Sequence, residues 1–162
     1  MIWKKLERLR LGRCKLVAFP DSLQSLTSLQ ELDLSGCHMD VIPACISTLP
    51  ALEDLNLERN RRQEVPASFT RIRKLKFLNL NNNRIQSFPE VVFDIPSLVK
   101  LHLLHNQISS LPQTTQFQVK IHKIEVLNLD YDKIKNTGFR SRRNSESLAK
   151  EAAESTSPSP GL

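Results

Sequence analysis

Along most of the chain, apolar and polar positions follow one short motif that keeps returning. Leu6-Glu-Arg-Leu9-Arg-Leu11 is followed by Leu29-Gln-Glu-Leu32-Asp-Leu34, Leu52-Glu-Asp-Leu55-Asn-Leu57, Leu75-Lys-Phe-Leu78-Asn-Leu80 and Leu98-Val-Lys-Leu101-His-Leu103, and a sixth copy reads Ile124-Glu-Val-Leu127-Asn-Leu129. The first five copies start 23 residues apart and the last step is 26. Alternation in the second half of each motif predicts a short strand, with its last two leucines on one side and the residues between them on the other. Three residues beyond each final leucine stands Cys14, Cys37, Asn60, Asn83, Asn106 or Asp132. Prolines return in the same register at Pro20, Pro43, Pro66, Pro89 and Pro112, each behind an apolar residue: Phe19, Ile42, Val65, Phe88 and Leu111.

Repeats of this length cannot bury their apolar side alone, so successive copies must stack. Parallel strands spaced about 4.8 Å apart would then form an array on the order of 30 Å long. The residues at 14, 37, 60, 83, 106 and 132 are expected to turn inward as a structural ladder. There an Asn satisfies backbone groups of neighbouring coils, and a Cys is small enough to take the same place. The Pro segments are expected to return over the outer side as short helices or 3₁₀ turns, burying Leu23, Ile46, Phe69 and Val92, then Leu26, Leu49, Ile72 and Ile95.

These residues resemble the leucine-rich repeat in its 23-residue, proline-containing intracellular form, similar to the arrays of Ras-suppressor, Scribble-type, plant intracellular Ras-group and Roco proteins. The resemblance covers about residues 6–135. It implies an α/β solenoid of about six repeats, with a curved parallel sheet on the concave face and short helices or 3₁₀ turns on the convex one. It implies a domain over residues 1–135, and it is far more specific for fold than for function.

Departures from the pattern shape further expectations. Arg62 fills a column otherwise held by Leu16, Met39, Ile85, Ile108 and Ile134, so its stem is expected to snorkel and its head to reach solvent. Between Pro112 and Ile124 the helix signal breaks down, and the alternation of Phe117, Val119 and Ile121 suggests an irregular loop or an extra strand. Ile2 and Trp3 are placed to cover the first coil. Residues 136–162 hold few large apolar side chains and read as a disordered Ser/Pro-containing tail. In it, Ser145 behind Arg140, Arg142 and Arg143 resembles a basophilic kinase site, and Ser157 and Ser159, each before proline, resemble proline-directed sites.

The outward columns of the strands define the candidate binding strip. Arg8, Arg10 and Arg13 make a basic start, and Glu31, Asp33, Asp54 and Glu58 an acidic centre. Phe77, Lys100, His102 and Leu104 form a mixed zone, with Asn56 and Asn79 between them. Such a strip would bind a protein partner, charge selecting it and Phe77 or Leu104 anchoring it. The plain alternative is a solvated sheet face.

Net charge is +6, unevenly placed: residues 1–20 hold six basic and one acidic residue, and residues 21–50 four acidic and none basic. With 6% aromatics and no stacking motif, nucleic-acid binding through the Arg8–Arg13 and Arg59–Arg62 clusters is disfavoured. Enzymatic readings fare worse. His102 and His105 have no cysteine at ligand spacing, so no metal is expected. Asp54 and Glu31 face water rather than the closed pocket that pKa tuning needs, and the four glycines form no phosphate loop. No cofactor is expected. The absence of a long apolar run argues against a membrane span, and Met1-Ile2-Trp3-Lys4-Lys5 turns charged too soon for a secretory signal. With Cys14 and Cys37 read as buried reduced thiols, the chain reads as cytoplasmic.

The function that follows is a non-catalytic interaction scaffold in cytosolic signal transduction, not an enzyme, with a small GTPase or a phosphatase or kinase subunit as the partner the resemblance implies. The alternative is a recognition segment of a larger enzyme such as a Roco kinase or a ubiquitin ligase.

Overall fold

The computed structural model describes residues 4–15, 21–130 and 134. Each leucine motif forms a three-residue strand: β1 (Arg8–Arg10), β2 (Glu31–Asp33), β3 (Asp54–Asn56), β4 (Phe77–Asn79), β5 (Lys100–His102) and β6 (Val126–Asn128). They pair in parallel and in chain order as one sheet. The register advances by the sequence period, so Leu9, Leu32, Leu55, Leu78, Leu101 and Leu127 lie side by side. These leucines and those two residues on, Leu34, Leu57, Leu80, Leu103 and Leu129, point into the core. Only Leu9 and Leu11 of the first coil stay partly open.

The prolines start the return path. Pro43 and Pro66, with φ near −60°, sit immediately before 3₁₀ helices at Ala44–Thr48 and Ala67–Arg71, and Pro89 precedes Glu90–Asp94. A ring-fixed φ suits this place, where the missing N–H would have had no helical partner. Each proline carbonyl accepts from the apolar residue three positions on: Ile46, Phe69 and Val92. Those residues and Leu49, Ile72 and Ile95 are buried against the backs of the strands, while Leu23 is half-buried.

The ladder positions complete each coil. Asn83 Nδ2 donates to the carbonyls of Leu57 (3.0 Å), Leu80 (3.0 Å) and Asn81 (3.1 Å), and its Oδ1 accepts from the Arg62 N–H (3.1 Å). Asn60 and Asn106 repeat the arrangement one coil to either side. Cys37 takes the same place, its Sγ donating to the Leu11 carbonyl at 3.1 Å, and burial pushes its thiol pKa up. Cys14 departs from expectation: it is exposed rather than buried, because no earlier coil among the described residues closes over it. Asp132 lies outside the described residues, as do Ile2, Trp3 and the tail with Ser145, Ser157 and Ser159.

Two further expectations are corrected. The segment after Pro112 is neither an irregular loop nor a strand but a helix, α1 (Thr115–Lys120), continued by a 3₁₀ turn to Lys123. Thr114 caps it, its Oγ1 accepting from the Phe117 N–H at 3.1 Å. Phe117 and Ile121, four apart, share the inner face, and Phe117 packs 5.1 Å from Phe88 and 5.7 Å from Phe93 between ring centroids. Val119 turns outward at 68% exposure. The three extra residues of the last repeat thus supply a full helical turn.

The second correction is Arg62, which does not reach solvent. It is 5% exposed, its Nε and Nη1 have no hydrogen-bond partner among the described residues, and Nη2 sits 3.5 Å from the Glu64 carbonyl.

Candidate functional site

Register across the sheet builds the concave face directly. One column runs Arg8, Glu31, Asp54, Phe77, Lys100, Val126, and its neighbour Arg10, Asp33, Asn56, Asn79, His102, Asn128. A third, two residues on, holds Gly12, Ser35, Glu58, Asn81, Leu104 and Asp130. Twelve of the thirteen candidate residues therefore lie on one surface, but they do different work. Arg13 is corrected out of the strip, since it falls one residue beyond the third column, at the edge where the chain leaves the strand.

Several are occupied in holding the backbone. Asp33 Oδ1 accepts from the Ser35 N–H (2.9 Å), Asn56 Oδ1 from Glu58 N–H (3.1 Å) and Asn79 Oδ1 from Asn81 N–H (3.0 Å). These side chains clamp the chain two residues on, where it leaves the strand. Glu58 is engaged as well, with Asn79 Nδ2 and Asn82 Nδ2 each at 3.3 Å and Arg59 Nε at 3.5 Å. At the basic start, Glu31 pairs with Arg8 at 3.1 Å and more distantly with Arg10 at 3.9 Å. Both arginines are well exposed, so the pairing is weak and salt-sensitive.

Asp54 stands apart. It is half-buried between Glu31 and Phe77, and its carboxylate has no hydrogen-bond or ion-pair partner among the described residues. Burial, and then the nearby Glu31 and Asp33 carboxylates, push its pKa up, with Arg10 opposing. The expectation that water on an open face would leave this carboxylate unperturbed is therefore corrected. Beyond Asp54, Phe77 meets His102 edge-on at 4.9 Å. Burial pulls the His102 pKa down, against an opposing pull from Glu58, so the imidazole is neutral at pH 7. The centre of the face is thus negative, with an aromatic wall on one side.

The sign of the Asp54 shift gives a test. In the pH window between its unfolded and its raised folded value, the folded state holds more protons, so stability falls as pH rises. Asp54→Asn should raise the midpoint of chemical denaturation at neutral pH, and that gain should vanish as the pH drops through the carboxylate range. An equal gain at both ends would show that the charge is not its source.

Among the described residues, no group of His, Cys, Asp or Glu is placed to hold a metal ion, and no helix is long and apolar enough to cross a membrane. Sequence reasoning also missed an edge of the sheet where basic residues recur in register, described below. The signal was there, since positions 15, 38, 61 and 84 carry Lys, His, Arg and Arg at the repeat spacing.

Comparison with known proteins agrees with this geometry. Family models described as leucine rich repeat match residues 28–49, 40–85 and 50–108. A solved structure of an LRR protein from Leptospira interrogans is similar, with 25% identity and a TM-score of 0.56 over 76% of this chain. The chain spans 36% of the length of that protein. A search of curated proteins finds no match.

Proposed function

Because the chain belongs to the leucine-rich repeat family, we propose that it is a non-catalytic protein-interaction module that reads a partner on its concave face. Asp54 carries this reading. A half-buried carboxylate repelled by two others and given no partner of its own is a group that a partner's cation would relieve. Phe77 beside it supplies apolar contact and a ring face for a lysine or arginine head. Arg8, Arg10 and Lys100 flank this centre and would steer an acidic part of the partner away from it. The partner class is therefore a protein presenting a basic segment. A small GTPase or a phosphatase or kinase subunit is the more specific proposal, resting on resemblance alone.

A labelled Lys/Arg-rich peptide and the unmodified chain make the test. The double variant Glu31→Lys, Asp54→Lys should weaken binding about tenfold or more and flatten its dependence on salt. Unchanged affinity in the variant would sink the electrostatic reading. Affinity capture with and without nucleotide-loaded GTPases addresses the narrower partner class.

A further inference from the structure

The edge where the chain leaves each strand carries two columns that the concave face does not use. One runs Arg13, Gly36, Arg59, Asn82, His105, and the other Lys15, His38, Arg61, Arg84, Gln107. Backbone bonds keep both in step: Arg13 N–H donates to Ser35 O (2.6 Å), Gly36 to Glu58 O (2.7 Å), Arg59 to Asn81 O (3.0 Å) and Asn82 to Leu104 O (2.8 Å). Along the second column Arg61 N–H donates to Met39 O, Arg84 to Arg62 O and Gln107 to Ile85 O. No position in either column is acidic. Arg13, Lys15, Arg61 and Arg84 are exposed and have no acidic partner within ion-pair distance among the described residues.

A second observation is independent of charge. Every residue other than glycine with positive φ among the described residues lies on this edge: Arg13 (62°), His38 (56°), Arg59 (55°), Asn82 (56°) and His105 (57°). Gly36 (65°) and Asn82 are the residue types that this backbone favours. A residue with a Cβ is strained there, and an exposed arginine without a partner recovers nothing locally. Strain of this kind persists where the side chain serves a purpose. Next to Arg61 in the chain, the buried guanidinium of Arg62 adds a positive charge that makes no ion pair among the described residues.

We infer that this basic edge docks an acidic segment of a partner protein, an extended run with separated Asp or Glu side chains. The inference goes beyond the concave-face reading, since it concerns another surface and the opposite charge. Arg13 and Lys15 lie two coils from Arg59 and Arg61, about 10 Å at the strand spacing, which is about three residues of extended chain. Spaced carboxylates fit that pattern better than a nucleic acid does. Glu58 beside Arg59 at 3.5 Å and Asp130 beside His105 at 3.9 Å interrupt the field, and would repel a duplex carrying one charge per ~1.7 Å. Among the described residues neither column holds a Phe, Tyr or Trp on which a base could stack.

The test uses the full chain and a labelled Asp/Glu-rich peptide, beside an oligonucleotide and vesicles containing anionic lipid. The peptide should bind with a steep salt dependence. The variant Arg13→Glu, Arg61→Glu, Arg84→Glu should lose about tenfold or more, while Lys120→Glu, on α1, should lose nothing. Arg13→Gly keeps the proposal falsifiable should the triple variant fold poorly: it removes a cation and relaxes the backbone, so binding should weaken while the melting temperature holds or rises. Equal peptide binding by the rim variants, or retention of the oligonucleotide or vesicles without the peptide, would overturn the inference. The concave reading is tested with a basic peptide and this one with an acidic peptide, so either can fail alone.

Discussion

Asn83→Ala is expected to lower the stability of the solenoid by about 3 kcal/mol, the largest loss of any single substitution considered. The bonds do not all weigh equally. When the amide is removed, the Leu57 carbonyl keeps Asn60 Nδ2, the Leu80 carbonyl keeps Asn106 Nδ2, and the Asn81 carbonyl keeps the Arg59 N–H. The Arg62 N–H keeps nothing, because Asn83 Oδ1 is its acceptor. A buried donor stranded in this way costs about 1–3 kcal/mol, and the weakened carbonyls add the rest. The loss should appear in urea unfolding as a lower midpoint at similar slope, and as faster hydrogen exchange at the Arg62 amide. Asn83→Cys should recover only the carbonyl part of the loss, since Cys37 in the equivalent place donates its thiol to the Leu11 carbonyl, while sulfur is a weak acceptor for the Arg62 N–H. A loss below about 1 kcal/mol for the alanine variant would mean that the coils do not depend on the ladder.

The ladder also shows why so much of the fold was legible. Coils in a solenoid touch only their neighbours, so a sequence period translates directly into a spatial register. Leu32 beside Leu55, Asp54 beside Phe77 and Asn60 beneath Asn83 all follow from a 23-residue shift. Where the period broke, legibility broke with it. In the 26-residue step, Phe117, Val119 and Ile121 satisfied the strand alternation, while Phe117 and Ile121 alone satisfied a helical spacing. Packing against Phe88 and Phe93 decided in favour of the helix, and those rings come from another coil. Cys14 was misplaced for a related reason: its burial depended on a preceding coil, and none is among the described residues.

The site was legible by position but not by role. The three outward columns could be written down from the sequence and put Asp33 and Asp54 in different ones, yet a column position alone does not say which of them holds the backbone. Each is a carboxylate on the same face, one strand apart. Asp33 spends an oxygen on the Ser35 N–H. Asp54 lies two residues earlier in its motif than the clamping Asn56, and is left without a partner among the described residues. The distinction depends on local backbone geometry that spacing does not carry. The same holds for the basic edge, where the left-handed φ values at Arg13, Arg59 and His105 reveal a strain that composition cannot.

Arg62→Met is expected to raise stability by about 2 kcal/mol, in line with replacements of buried charges by apolar side chains of similar size. The guanidinium has lost its hydration, which pulls its pKa down, with Asp40 opposing. It recovers one marginal bond to the Glu64 carbonyl. Methionine follows the same unbranched course through the column and already occupies it one coil away as Met39. Arg62→Ala would instead leave a cavity and mask the gain. If the guanidinium also strengthens the positive edge, the methionine variant should bind an acidic peptide more weakly while unfolding at higher denaturant, the trade expected where a costly residue is kept for function. A methionine variant less stable than the parent would show that the buried cation is well satisfied in solution. It would then contribute to the core, and its lack of partners would no longer support the field ascribed to the edge above it.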